Sequence, residues 1–305
     1  MSNLYLNADC MNSVHHLNFL DNTLPDGCAQ LIIADPPYFE VKGEFDFIWP
    51  SFDHYLADVE KWAIECKRIL APNGTLFWWG NSKKIAYSQT VLDRFFNLEN
   101  SLVWRKIDSM QYQYYSPASA RTFNTHTERL LMYSFGDLIA RQYFKLLQEL
   151  IGKSAASIKS DIGEDADHCF RHSSSQFEVP QQATYLKIIS FYGLLAHPSV
   201  LEYEELRRPF SNPLKYEEVL EFSQESHKSK LYDHETPKPE RLTSMLINAT
   251  TRRGDLVVAP FAGSGTECAM AADNGRDFIG FEIEAKHVKT ANNRCRPYLQ
   301  QMKLF

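Results

Sequence analysis

Leu31-Ile32-Ile33-Ala34-Asp35-Pro36-Pro37-Tyr38 is the stretch on which the reading of this chain turns. Its first four residues are an unbroken apolar run, as expected of a central parallel strand covered on both faces. A carboxylate, a prolyl carbonyl and an aromatic ring follow at its end. Ligands of open α/β sheets bind at the carboxyl ends of strands, so the tetrapeptide sits where a site belongs. Its three groups can grip a flat base through the exocyclic amine. The plain alternative is a loop with two prolines after a strand, and such a string arises by chance in roughly one of a few hundred chains of this length.

The neighbouring pattern is strand, helix, strand. Residues 4–6 are a short strand candidate. Residues 54–70 carry apolar side chains at Leu56, Val59, Ala63, Cys66 and Leu70, a helical stripe that Pro72-Asn73-Gly74 stops. Residues 75–79, 101–104 and 129–135 read as strands. This alternation predicts an α/β fold with a parallel, doubly wound, Rossmann-like sheet. Past Gly136 the pattern changes to short helical stretches, 142–151, 154–161, 165–172 and 182–195, broken at Gly152 and Gly163. No strand is expected in this block. The α/β pattern resumes near Asp233, with helices over 239–250, 266–274 and 284–300 and strands over 256–259 and 278–281. The expected organisation is therefore residues 1–136, a helical insert over 137–232, and residues 233–305.

Bulk properties narrow the class. A chain of 305 residues holds one large α/β domain and a smaller insert. No apolar run reaches the length of a membrane span, and the first nine residues lack the pattern of a secretory signal. Cysteines 10, 28, 66, 169, 268 and 295 form no C-x-x-C pair and read as reduced thiols of a cytoplasmic protein. The net charge of −6 does not favour nucleic acid, but a DNA binder needs a local basic face rather than a basic total.

A second motif, Phe261-Ala262-Gly263-Ser264-Gly265-Thr266, lies between a predicted strand and helix, so its amides can meet a ligand at the helix N-terminus. Glu282 ends the next strand, where a carboxylate can hold ribose hydroxyls. The same geometry fits a nicotinamide dinucleotide, or a turn required only for packing. Hydride transfer has no use for the Asp35 tetrapeptide, which decides between them. A third motif, His234-Glu235-Thr236-Pro237-Lys238-Pro239, precedes a helix. It is either a capped helix start or a place where Thr236 and Lys238 meet a ligand carboxylate.

With Trp104-Arg105-Lys106 and with Glu128 ahead of Leu130-Leu131-Met132-Tyr133, this set resembles the β group of amino methyltransferases. Those enzymes methylate exocyclic amines in DNA with S-adenosylmethionine. The resemblance covers most of the chain outside roughly residues 137–232 and extends to a circularly permuted motif order, catalytic motif first and cofactor motif last. Aspartate before Pro-Pro is the form usual for adenine N6 enzymes. The resemblance implies that Asp35, Pro36 and Tyr38 form the catalytic pocket, with Pro37 shaping it and Asp35 also facing the cofactor. It implies that Phe261, Gly263, Ser264, Gly265 and Thr266 line the cofactor's methionine end, and that Thr236 and Lys238 hold its carboxylate. Glu282 would take its ribose, and Asp9 and Cys10 would lie near its adenine. Two departures stand out: Ala259 replaces the aspartate usual before Pro-Phe, removing one partner for the cofactor's ammonium, and Glu235 and Pro237 alter the third motif.

The implied chemistry is direct. Asp35 and the Pro36 carbonyl accept the two N–H bonds of the amine, freeing its lone pair for attack on the sulfonium methyl, with acceleration from positioning and preorganised acceptors. The base must leave the duplex, at a cost of a few kcal/mol, and stacking on Tyr38 returns about 1–3 kcal/mol. In the insert, the run of helices and glycine turns resembles a helix-turn-helix, with Lys153, Lys159 and Arg171 as candidate phosphate contacts; a solvated helical cap is the alternative. Tyr112, Tyr114, Tyr115 and Arg121 form a second candidate DNA surface. His168-Cys169-x-x-His172 falls short of a structural zinc set, so no metal is expected. The expected protein is a bacterial or phage DNA adenine N6 methyltransferase acting on duplex DNA. The same chemistry on RNA, or an inactive DNA-binding relative, are the competing readings. A homodimer and a cognate restriction nuclease are compatible with the resemblance.

Overall fold

The computed structural model describes residues 11–21, 24–41, 46–107, 121, 123, 125–224 and 237–302. The expected strand at 4–6 lies outside them. In chain order the elements are β1 (Ser13–His16), β2 (Ala29–Ala34), α1 (Phe52–Ile69), β3 (Leu70–Gly80), α2 (Ile85–Leu92), β4 (Asn97–Lys106) and β5 (Thr127–Ser134). Then come α3 (Leu138–Ile151), α4 (Ala155–Ile162), α5 (Gln182–Phe191), α6 (Tyr203–Leu206), β6 (Val219–Phe222), α7 (Glu240–Thr250), β7 (Leu256–Ala259), α8 (Thr266–Asp273), β8 (Asp277–Glu282) and α9 (Ala285–Met302). None of the described helices is long and apolar enough to cross a membrane.

Two compact units result, one running to Ser134 and resuming at Phe210, the other Phe135–Pro209. The first holds an eight-stranded sheet in the order β1-β8-β7-β2-β3-β5-β4-β6. The strands from β1 to β3 are parallel, whereas β5 is antiparallel to both β3 and β4, and β4 is parallel to β6. The wholly parallel sheet expected from the alternation of elements is thus a mixed one. β2 is central, between β3 and β7, and Leu31, Ile32, Ile33 and Ala34 are buried on both faces. Removing each large aliphatic side chain from water contributes about 1.5–3 kcal/mol. α1 begins where the Ser51 hydroxyl accepts from the His54 amide and buries Tyr55, Val59, Trp62, Ala63, Cys66 and Ile69 along one stripe.

The second unit has its own core of Phe144, Leu147, Ile158, Phe170, Tyr185 and Ile188. α3 ends at Gly152, whose φ of 68° is the left-handed conformation that a residue without a Cβ adopts freely. The helix expected over 165–172 is two single 3-10 turns, Glu164–Ala166 and His168–Phe170. The helical unit closes at Pro209 rather than 232, because residues 219–222 form β6 at the edge of the first unit's sheet.

Ile32 is wholly buried on the central strand, so truncating it leaves a cavity against one face of the sheet. Ile32→Ala is expected to lower unfolding free energy by about 2–5 kcal/mol, read from the midpoint of urea denaturation at constant slope.

Candidate active site

Asp35 emerges from the carboxyl end of β2, and Trp79 lies at the same end of β3. β5 runs the other way, so its start lies beside the ends of β3 and β4: Trp104 faces Glu128 and Gly80 faces Arg129. Lys238 comes in ahead of α7, from 203 residues further along the chain than Asp35. These strand ends assemble a ladder of alternating charge. The Lys106 ammonium donates to Glu128 Oε1 at 2.5 Å. The Lys238 ammonium lies 3.4 Å from Glu128 Oε2 and donates to Asp35 Oδ2 at 2.6 Å. The Tyr38 hydroxyl donates to the other oxygen, Asp35 Oδ1, at 2.7 Å. Lys238 also lies 4.9 Å from the Trp79 ring centroid and 5.7 Å from that of Tyr38, within cation–π range.

The supports are specific. The Tyr38 amide donates to Asp46 Oδ1 at 2.6 Å, the Asp46 carbonyl accepts from the Glu40 amide at 2.7 Å, and Asp46 is itself buried. Lys84 Nζ donates to the Phe39 carbonyl at 3.1 Å. The Trp104 indole donates to the Phe222 carbonyl at 2.9 Å, which fastens β4 to β6. Asp46 and β6 were not identified from the sequence.

Charge decides how these groups ionise. Lys238 is 6% exposed. Burial alone would strip its proton, but Asp35 and Glu128 outweigh burial and hold the ammonium above its ordinary range. Burial likewise opposes the Glu128 carboxylate, while Lys238 and Lys106 pull it below the usual range. Burial, reinforced by the charges of Asp35 and Glu128, pushes the Tyr38 phenol well up, so it stays a neutral donor.

The glycine turn lies beside this ladder, because β7 neighbours β2 in the sheet. Gly263 and Gly265 have φ of 48° and 77°. Glu282 Oε2 accepts from the Gly263 amide at 2.9 Å and Oε1 from the Glu284 amide at 2.8 Å. The half-buried carboxylate is thereby oriented, with lone pairs left for hydroxyl groups. A Cβ on Gly265 would come within 2.6 Å of Ala291 Cβ, so this glycine is needed for α8 to meet α9. The Ser264 and Thr266 hydroxyls are buried and accept from Arg294 at 3.1 and 2.8 Å, rather than lining open space. Arg294 also donates to Glu240 at 2.8 Å, joining α9 to α7. Phe261 packs edge-on against Trp62 at 5.0 Å. The amides of Ala262, Gly263 and Gly265 are taken by the Phe281 carbonyl, Glu282 and the Ala262 carbonyl, so the oriented Glu282 carboxylate on the next strand is the group that fits a cofactor bearing a ribose.

The expected residues divide clearly. Asp35, Pro36, Pro37 and Tyr38 lie together with Lys238, Glu128 and Lys106. Lys238, expected beside a ligand carboxylate, is held by two carboxylates of the chain itself. Asp9, Cys10, Thr236, Tyr112, Tyr114 and Tyr115 lie outside the described residues. Arg121 is exposed. Each basic candidate of the helical unit is already paired: Lys153 with Asp161 at 2.7 Å, Lys159 with Glu164 at 2.6 Å, and Arg171 with Asp167 at 2.5 Å. His168 Nδ1 meets the Gln176 carbonyl, and the buried Cys169 thiol donates to the Ala166 carbonyl.

Acidic and aromatic side chains thus gather beside a glycine turn at the ends of neighbouring parallel strands, where open α/β sheets hold their ligands. The chain belongs to the DNA methylase family, whose N6_N4_Mtase model matches residues 29–293. It is 27% identical over 297 residues to the Type II methyltransferase M1.MboII of Moraxella bovis, covering 92% of this chain and 95% of that protein. It is 26% identical to the Type II methyltransferase M2.DpnII of Streptococcus pneumoniae, covering 96% and 92%. A Thermus thermophilus protein solved with S-adenosyl-L-methionine shares the fold at a TM-score of 0.55 and 18% identity, over 94% of this chain and 93% of that one.

Removing a buried ammonium from between two carboxylates leaves them facing each other. Lys238→Met is expected to cost about 3–5 kcal/mol at neutral pH. The unpaired carboxyls take up protons more readily in the folded variant, so the deficit shrinks as pH falls. Urea titrations at several pH values measure both.

Proposed function

We propose that this DNA methyltransferase moves a methyl group from S-adenosylmethionine to the N6 amine of an adenine turned out of duplex DNA. The observation that carries the reading is Asp35: a carboxylate at a strand end, fixed by Lys238 on Oδ2 and by a displaceable phenol on Oδ1. The Type II methyltransferases among the relatives support it, and extend it to a partner restriction nuclease of the same specificity.

S-adenosylmethionine, when bound, supplies the electrophilic methyl; Glu282 would hold its ribose. The incoming base takes Oδ1 from Tyr38. The Tyr38 ring then stacks on the base, returning about 1–3 kcal/mol of the unstacking cost. Asp35 Oδ1 and the Pro36 carbonyl accept the amine's two N–H bonds, and Asp35 faces the positive charge that develops on nitrogen. Lys238 keeps Asp35 in place, and Glu128 with Lys106 keeps Lys238 in place. The helical unit, residues 135–209, is the proposed reader of target sequence.

Asp35→Ala is expected to abolish methyl transfer to duplex DNA while cofactor affinity stays within a few-fold, measured with labelled cofactor and by calorimetry. Near-normal turnover by this variant would remove Asp35 from the chemistry. Because Lys153, Lys159 and Arg171 are neutralised within their own unit, replacing all three with alanine is expected to lower the salt slope of DNA binding by less than the ~0.9 per residue of a full phosphate contact.

A further inference from the structure

Glu267 is the buried charge that the reaction scheme leaves unused. It is the second residue of α8, directly after the glycine turn, and is 5% exposed. Among the described residues no side chain hydrogen-bonds to its carboxyl group. The nearby guanidinium of Arg294 is directed to Ser264, Thr266 and Glu240 instead. Charged and titratable groups approach from every side: Asp35 from the end of β2, Lys238 from ahead of α7, Arg294 from α9 and Cys268 on α8 itself, with Glu128 of β5 beyond Lys238. Burial, then the charge of Asp35, pushes the carboxyl up to about 7, against the pull of its own backbone amide, Lys238 and Arg294.

With Glu267 protonated the local charge balances, and its ionisation would leave the cluster one cation short. Asp35, Glu128 and Glu267 stand against Lys238 and Lys106, and Arg294 is matched by Glu240. A buried carboxyl group whose one donor is its own backbone amide is costly to ionise, and an apolar side chain would fill the same space without that cost. The ionised cluster lacks one cation with N–H donors, and it lacks it beside the glycine turn. The cofactor's amino-acid end carries such a group.

We propose that Glu267 receives the ammonium group of S-adenosylmethionine and is ionised when it does so. The inference rests on the proposed methyl donor. It accounts for Ala259, which offers no carboxylate at the end of β7. Binding then releases the Glu267 proton, so affinity falls as pH drops below about 7 and the free enzyme holds that proton more tightly.

Calorimetric titration of the full chain tests this with S-adenosylhomocysteine, which keeps the ammonium, and 5′-methylthioadenosine, which lacks it. Glu267→Gln is expected to weaken S-adenosylhomocysteine about 10- to 100-fold at pH 8 and leave 5′-methylthioadenosine unchanged. Wild-type affinity for S-adenosylhomocysteine should fall toward about tenfold per pH unit below neutrality, and the variant's should not. Equal affinity of the two proteins for S-adenosylhomocysteine would overturn the proposal. So would a parallel loss of both ligands, which marks a packing role, or a loss confined to S-adenosylmethionine, which places Glu267 at the sulfonium. If the wild type binds none of the three, the proposed cofactor itself fails.

Discussion

A buried ammonium holds its charge only while carboxylates surround it, and Lys238 has two. The organisation of the acidic pocket depends on this constraint. Lys238 fixes Asp35 on one side and Glu128 on the other, and Lys106 closes the ladder from β4. Asp35 Oδ2 is committed to Lys238, and Oδ1 accepts from the Tyr38 hydroxyl. The phenol thus keeps a carboxylate oxygen satisfied.

The sheet explains why these groups meet. Parallel β7, β2 and β3 bring the glycine turn and Asp35 to one edge. The reversal of β5 brings Glu128 to that edge too, since its first residues lie beside the last residues of its neighbours. A wholly parallel sheet would have placed Glu128 at the opposite end. β6 completes the arrangement by accepting the Trp104 indole, steadying the strand that carries Lys106.

Legibility in the sequence followed burial. β2 and β7 are unbroken apolar runs buried on both faces, so their positions and the motifs after them could be read directly. β6 could not: Val-Leu-Glu-Phe alternates in burial, pairs along one edge and sits in a polar neighbourhood. β1 went unread because two of its four residues are histidines. The stretch 165–172 looked helical in composition, yet forms 3-10 turns fixed by Asp167 and the buried Phe170. Asp35, Tyr38 and Lys238 were legible as motif residues, but the pairing of Lys238 with Asp35 and Glu128 was not, because these partners are distant in sequence. Glu267 was invisible for a different reason. A glutamate in the first turn of a helix ordinarily reads as an exposed complement to the helix dipole, and only tertiary packing shows it to be buried.

A crystal structure with S-adenosylhomocysteine and a duplex carrying the target adenine tests the central claim most directly. The account predicts an extruded adenine whose N6 lies within hydrogen-bonding distance of Asp35 Oδ1 and the Pro36 carbonyl, with Lys238 still on Oδ2 and Tyr38 stacked on the base. A complex in which the Tyr38 hydroxyl keeps its bond to Asp35 while the adenine docks elsewhere would contradict it.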